Sequence, residues 1–493
     1  MPLQSRRPAI AFLLAALAFT LSVLIPVAHA AAPSRLPAGV RVALERARVP
    51  ESAVAIWVQP VDANRPTLSF NAERPMNPAS VMKIVTTFVA LEQLGPTRTW
   101  TTHIASAVPI RNGVLSGDLY LIGSGDPALS HERLWKILRR LRALGLAAID
   151  GDIVLDHSAL VLPPHDPDAF DGHGLRPYNS GADGLLINFN TQQLALFPGD
   201  KPQDPVQVVE EPPLAGIVID NQITTSGKVC DPWYRDLEAR LENNRLILTG
   251  SLPASCGPRF WSAAPLAPPD FAAALIQPLW QELGGKLNGK IRHGTAPEDA
   301  QTLIADESAP LTEIVRTMNK WSNNVIARQL LANLGRAEPP PPDMVAAGIQ
   351  AARLRLSEAR IDITGLVIDN GAGLSRSARI RADSLGALLI RAWQRPWMPE
   401  FVASLPVAGL DGTAYRRLAS SPARGYAHLK TGTVNHVKAI AGYVLDQYGR
   451  RHAVVMMINH PQAGNAYKAQ DALIEWVWNG VPVTPRAVRR DKR

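Results

Sequence analysis

The sequence predicts an α+β protein: an antiparallel sheet flanked by helices, interrupted by mostly β insertions. Three observations predict it. A strand-like hairpin near the N-terminus is matched by three strand-like segments near the C-terminus. Helical periodicity brackets a stretch, 97–299, whose short alternating segments and Pro-rich turns suggest accessory domains. The 493 residues, 46% hydrophobic and 19% charged, exceed what one core of about 250–300 residues organises.

At the start, Arg6 and Arg7 precede an apolar run over 9–27 and then Ala28-His29-Ala30, a small-x-small cleavage pattern. Residues 1–30 are therefore expected to be a signal peptide, with an uncleaved anchor as the alternative reading, since the run is near spanning length. No later apolar stretch is long enough to span a bilayer. The net charge of +8 falls to +6 without the two leader arginines, enough for loose attraction to an anionic polymer or membrane surface. The basic tail, 486–493, is too short and too poor in apolar residues for an amphipathic anchor.

A short helix is expected at 40–47, a strand at 53–61, a turn at 62–66 and a returning strand at 67–70. From 80 to 94 the apolar positions Val81, Met82, Ile84, Val85, Phe88, Val89, Leu91 and Leu94 are too many for one narrow face. The segment predicts a buried helix, closed by Gly95 and Pro96. Strands follow at 117–122, 151–155 and 245–250, with a helix at 271–283 and a further nested domain over about 181–262. Helices are expected at 310–321 and at 323–334, the latter stopped by Gly335; prolines 339–342 force an extended linker before a helix at 344–354. Strands at 428–433, 440–445 and 452–458 and a covering helix at 466–478 complete a domain made of 31–96 and 300–485. Two cysteines, Cys230 and Cys256, would pair in an oxidising compartment and add roughly 3 kcal/mol by loop closure. Two buried free thiols are the alternative.

One Ser-x-x-Lys in this chain, Ser80-Val81-Met82-Lys83, opens the buried helix. Spacing i, i+3 puts both side chains on one face of the first turn, where the amine reaches the hydroxyl. Serine is a poor nucleophile until a base takes its proton, and lysine serves only if burial or another cation lowers its pKa. A charge in an otherwise apolar helix is costly without a role. Two further elements, Ser322-Asn323-Asn324 between helices and Lys430-Thr431-Gly432-Thr433 on a strand, are commonplace singly; a helix cap and a solvated strand lysine would explain them. Their order is much more specific.

With these motifs the chain resembles the class C penicillin-binding proteins, D-alanyl-D-alanine carboxypeptidases and endopeptidases. The resemblance extends to Gly125-Asp126-Pro127, Gly151-Asp152, the run from Asp369 to Arg376, Leu405-Pro406, and Gly409-Leu410-Asp411-Gly412-Thr413. It implies a serine β-lactamase-like catalytic domain, with domains inserted between Lys83 and Ser322. It implies Ser80 as nucleophile, Lys83 as general base and Ser322 as proton relay to the leaving nitrogen. Asn324 would bond the substrate amide, while Lys430, Thr431, Gly432 and Thr433 would line the site of the terminal carboxylate. The backbone N–H groups of Ser80 and Thr433 would form the oxyanion hole. Asp156 and Arg376 match positions bordering the diaminopimelate side chain; an Asx turn and a surface arginine would explain them equally well.

The resemblance further implies peptidoglycan stem peptides and cross-links as substrates, β-lactams as covalent inhibitors and a periplasmic location, with no cofactor, metal or nucleic acid. His157, His165 and His173 lie amid Asp166, Asp168 and Asp171 at spacings that match no short metal motif, so a solvated loop is expected there. Two other functions are weighed. A β-lactamase would need a dedicated carboxylate base, and the sequence nominates none. A non-catalytic wall-binding scaffold is disfavoured by the intact Ser80, Lys83 and Lys430.

Overall fold

The computed structural model describes residues 35–480. The expected signal peptide at 1–30 and the basic tail at 486–493 lie outside the described residues.

The sheet that organises the site is five-stranded and antiparallel, in the order Ala427–Val434, Val437–Leu445, Arg451–Asn459, Val54–Pro60, Leu68–Phe70. Its three inner strands read almost continuously apolar, as strands covered on both faces must. Residues alternate between two cores. Val54, Ile56, Val58, Ile440 and Val454 pack under the terminal helices Ala38–Arg46 and Tyr467–Trp478. Ala55, Trp57, Ala441, Tyr443 and Val455 pack against the helices Met82–Leu94 and Ala382–Trp393 on the other face. Strand Ala427–Val434 is left as an edge, and the turn that carries Ser80 approaches it at Gly432.

The chain leaves this domain after Met82–Leu94 and returns with the helices Leu311–Trp321 and Asn324–Leu334. The intervening region has its own continuous core. It opens on a mixed sheet ordered Ile291–His293, Ile153–Asp156, Leu119–Ile122, Thr101–Ser106, Gln301–Glu307, in which the first two pairings are parallel. Parallel neighbours need a crossover, and helix His131–Ala143 supplies the one between Leu119–Ile122 and Ile153–Asp156. The sequence reading of mostly β insertions overlooked this helix, although Leu134, Ile137, Leu138 and Leu141 have helical spacing behind a Ser130 cap. Inside this region lie three three-stranded sheets: one antiparallel, one built on the parallel pair Val218–Ser226 and Arg245–Pro253, and one of the short parallel strands Lys286–Leu287, Ala148–Ile149 and Val114–Leu115. Cys230 and Cys256 are joined there as a disulfide, with Cα atoms 5.0 Å apart.

Buried amides fasten the insertion to the helix that carries Asn324. Gln329 exchanges two hydrogen bonds with the backbone of Asp183 at 2.6 and 3.0 Å. Asn333 donates to the Gly125 carbonyl at 2.9 Å and accepts from the Trp100 indole at 2.9 Å. Losing one partner of such a pair strands the other in the interior at about 1–3 kcal/mol, so the inserted region and the catalytic helix are held in register. Asp126 of the Gly125-Asp126-Pro127 match caps its own turn and pairs with Arg133 at 2.7 Å, a structural role.

Candidate active site

Ser80 sits in a single 3-10 turn, Ala79–Val81, that leads into helix Met82–Leu94. The turn is under strain: Ala79 has φ 46°, a left-handed conformation that costs an L-residue about 1–2 kcal/mol. Asn77 holds it. Its side chain accepts from the Ala79 N–H at 2.8 Å and donates to the Ser375 carbonyl at 2.8 Å, while its backbone is bracketed by Asn459. Strain fixed in this way holds Ser80 in one position ahead of the helix.

Lys83 is fully buried, one turn along the same helix. Its Nζ lies 3.1 Å from Ser80 Oγ, 2.6 Å from Asn324 Oδ1 and 2.7 Å from the Ala372 carbonyl. Burial pushes its pKa well below the usual lysine value, and the nearby charges of Lys430 and Arg328 push the same way. The contacts then assign the lone pair. A neutral amine has two N–H donors and one acceptor site, and Asn324 Oδ1 and the Ala372 carbonyl can only accept. Both N–H groups are taken, so the lone pair faces the Ser80 hydroxyl.

Ser322 occupies the junction between helices Leu311–Trp321 and Asn324–Leu334 with φ 58°. Asn323 caps the second helix by accepting from Ile326 N at 3.0 Å. The reversal turns the Ser322 hydroxyl to Lys430, whose Nζ lies 3.0 Å away. Lys430 is fully buried and also donates to the Thr431 carbonyl at 2.9 Å. Burial lowers its pKa to about 7.

Strand Ala427–Val434 meets the Ser80 turn through Gly432. A Cβ at this position would stand 2.6 Å from the Pro78 carbonyl and 3.1 Å from the Ser80 nitrogen, so only glycine lets the two chains approach. This close approach brings the strand backbone up to the Ser80 N–H, the arrangement an oxyanion hole requires. Gly432→Ala is expected to push the strand outward and slow acylation by β-lactam about 10²-fold, the cost of a misplacement near 1 Å, with far-UV circular dichroism unchanged. An unchanged acylation rate in a folded variant would refute the role given to this contact.

The remaining expected residues are placed as follows. Thr431 Oγ1 donates to Thr413 Oγ1 at 2.8 Å, and Thr433 Oγ1 accepts from Lys438 at 3.1 Å; both residues are on the open edge. Asp156 does not join the cleft. It is 3% exposed, and its two carboxylate oxygens accept from the backbone N–H groups of Ser158 and Ala296 at 2.9 and 2.8 Å. These two backbone donors hold the carboxylate at a strand end, the Ser158 N–H closing an Asx turn, and none of the described contacts brings Asp156 to Arg376. Arg376 lies over the Phe170 ring at 5.0 Å and donates to its carbonyl. It lines a cavity of about 620 Å³ with Asp166, Asp369 and Arg328.

Within the loop holding the other two histidines, His165 bonds the Asn179 carbonyl at 2.6 Å, and Asp171 accepts from Tyr178 and Asn179. The loop is thereby tied onto the site, since Asn324 Nδ2 and Arg328 both donate to the Tyr178 carbonyl, at 3.1 and 2.9 Å. Sequence reasoning passed over Arg328 and the Ala372 carbonyl. Arg328 had a signal, its i, i+4 spacing from Asn324 on a helix. It is pulled down to a pKa of about 10 by burial, partly offset by Asp369. A backbone carbonyl carries no side-chain signal.

The sequence profile described as the D-Ala-D-Ala carboxypeptidase 3 (S13) family matches residues 36–479. A D-alanyl-D-alanine carboxypeptidase of Actinomadura sp. (strain R39) is 31% identical over 438 residues, covering 84% of this chain and 79% of that protein. The D-alanyl-D-alanine carboxypeptidase DacB of Haemophilus influenzae is 27% identical over 429 residues, covering 85% and 88%. Its crystal structure, described as penicillin binding protein 4, superposes with a TM-score of 0.74 at 25% identity, over 89% of this chain and 99% of that one. A second crystal structure of the Haemophilus protein holds a β-lactam and superposes with a TM-score of 0.71.

Proposed function

Because the chain belongs to the D-Ala-D-Ala carboxypeptidase 3 (S13) family, we propose that its cleft hydrolyses D-Ala-D-Ala peptides through an acyl-enzyme on Ser80. The protein is a serine-type D-Ala-D-Ala carboxypeptidase of the penicillin-binding class. The observation that carries the mechanism is the Lys83 amine, buried and 3.1 Å from Ser80 Oγ with its other two positions held by pure acceptors.

In this reading Ser80 Oγ attacks the carbonyl carbon of the penultimate D-Ala as its proton passes to Lys83 Nζ. The oxyanion is stabilised by backbone N–H groups at Ser80 and Thr433. The C–N bond then breaks as the proton on Lys83 passes through the Ser322 hydroxyl, which Lys430 holds, to the leaving nitrogen, and Lys83 is neutral again. Water gives a proton to Lys83 as it attacks the ester carbon; the ester C–O bond breaks, Ser80 Oγ takes that proton back, and the shortened peptide leaves. Lys430, with the Thr431 and Thr433 hydroxyls, receives the terminal carboxylate, a charge-assisted contact. The stem-peptide side chain is assigned to the cavity around Arg376. Its mixture of Arg376 and Arg328 with Asp166 and Asp369 suits a group that carries both charges, such as the far end of diaminopimelate.

The physiological substrate is proposed to be peptidoglycan, reached by export to the periplasm. This placement is supported by the Arg6-Arg7, apolar and Ala28-His29-Ala30 sequence of the leader. None of the described helices is long and apolar enough to cross a membrane.

Digestion of purified muropeptides tests the proposal. The expected products are free D-Ala from pentapeptides and monomers from cross-linked dimers, and a protein releasing neither would overturn it. The penicilloyl adduct is expected to persist for hours, whereas turnover in seconds would identify a β-lactamase.

A further inference from the structure

Trp321 is 70% exposed, more than any other aromatic ring among the described residues, yet it stands one position before the relay Ser322. Its neighbours Lys320 and Asn324 are each only 7% exposed. An indole left mostly in water forgoes much of the burial that usually stabilises it. The turn is held without it. Lys320 Nζ pairs with Asp411 Oδ2 at 2.6 Å, and Gly412 lies so close to the Lys320 carbonyl that a Cβ would come within 2.5 Å. Thr413, in the same 3-10 turn as Gly412, accepts from the Thr431 hydroxyl at 2.8 Å. Two further apolar side chains flank that segment and are open to solvent, Leu410 at 50% and Tyr415 at 62%. The rim next to Ser322 and Thr431 therefore exposes apolar groups from two separate segments, around a polar floor.

This rim is the leaving-group side. Ser322 gives its proton to the nitrogen that departs, and Thr431 belongs to the carboxylate site, so whatever projects past them belongs to the amine half of the scissile bond. A free D-Ala leaving group consists of an amine, a methyl and a carboxylate and ends at those hydroxyls. A cross-link leaving group has the same amine and carboxylate, but its side chain continues into the second stem peptide. A group beyond Thr431 meets only the second kind of substrate.

We propose that Trp321 is a specificity-determining residue for cross-link cleavage: its indole, with Tyr415 and Leu410 on the facing segment, packs against the aliphatic chain of the departing stem peptide. This inference rests on the peptidase reading above. It assigns the wild-type protein a share of endopeptidase activity governed by a residue that takes no part in the chemistry.

The test compares kcat/KM for a purified cross-linked muropeptide dimer and for its monomeric pentapeptide, in wild type, Trp321→Ala and Trp321→Phe. For Trp321→Ala, the dimer value is expected to fall about ten-fold, the pentapeptide value to change less than about two-fold, and the rate of penicillin acylation to be unchanged. Trp321→Phe should recover most of the dimer activity, because an aromatic surface is what the peptide chain contacts. Equal losses on both substrates, or no loss on the dimer, would overturn the assignment. Failure of the underlying peptidase reading has a separate signature, a wild-type protein that cleaves neither substrate and takes up no penicillin.

Discussion

A Ser80→Ala protein is expected to take up no penicillin covalently and to release no D-Ala, while its melting temperature stays within a few degrees of wild type. Among the described residues, Ser80 is the one hydroxyl within hydrogen-bonding distance of the Lys83 amine. The next serine in the cleft, Ser322, is bonded to Lys430 instead, and its hydroxyl serves the leaving nitrogen, so it offers no substitute nucleophile. Removing a half-buried hydroxyl from a turn already held by Asn77 costs little stability. Mass spectrometry of the protein after incubation with benzylpenicillin gives the answer directly, and a persistent adduct on Ser80→Ala would end the proposal that Ser80 is the nucleophile.

Lys83→Met is expected to lower the acylation rate about 10⁴-fold, the upper range for loss of a positioned base. Methionine keeps the volume and the apolar packing of helix Met82–Leu94 but offers no lone pair to the Ser80 proton. The same lowered pKa sets the pH response. Wild-type kcat/KM should fall on the acid side as Lys83 takes up a proton. It should fall again as pH rises past about 7, where Lys430 of the free protein loses the charge that draws the substrate carboxylate. A substrate whose terminal carboxylate is replaced by a neutral amide should lack the alkaline fall.

Stability follows the same sign. Between the depressed folded pKa of Lys83 and about 10.4 in the unfolded chain, the unfolded state binds the extra proton, so this lysine makes stability rise with pH across that window. Lys83→Met should therefore show a flatter melting temperature from neutral to alkaline pH than wild type. Two parallel curves would show that Lys83 is not held neutral in the folded protein.

The legibility of this protein varied with the range of the interaction. The buried helix after Ser80 was readable because its apolar positions and its Gly95-Pro96 stop are local, and the i, i+3 pairing of Ser80 with Lys83 is a property of any helix. The three late strands were readable from their alternation and turns. Helix His131–Ala143 was equally local and was overlooked in a region of strand-like texture, though the parallel pairing of its flanking strands demands a crossover. Asp156 could not be decided, because a carboxylate aimed into a cleft and one folded back on Ser158 and Ala296 N–H groups have identical sequences.

By itself the sequence determined the chemical groups: a serine and a lysine one turn apart, a second serine with an asparagine, a strand lysine, and the order in which they occur. Only the tertiary structure decided which of them meet. Lys430 reaches Ser322 across 108 positions, and Gly432 touches the Ser80 nitrogen across a still longer separation. Both contacts exist because the sheet ends on the strand Ala427–Val434 and the turn that carries Ser80 packs against that edge. The Ala372 carbonyl and Arg328 complete the setting of Lys83 in the same way. Side-chain identity and periodicity are written locally, whereas the burial that lowers the Lys83 pKa comes from segments that approach one another only when the whole core closes.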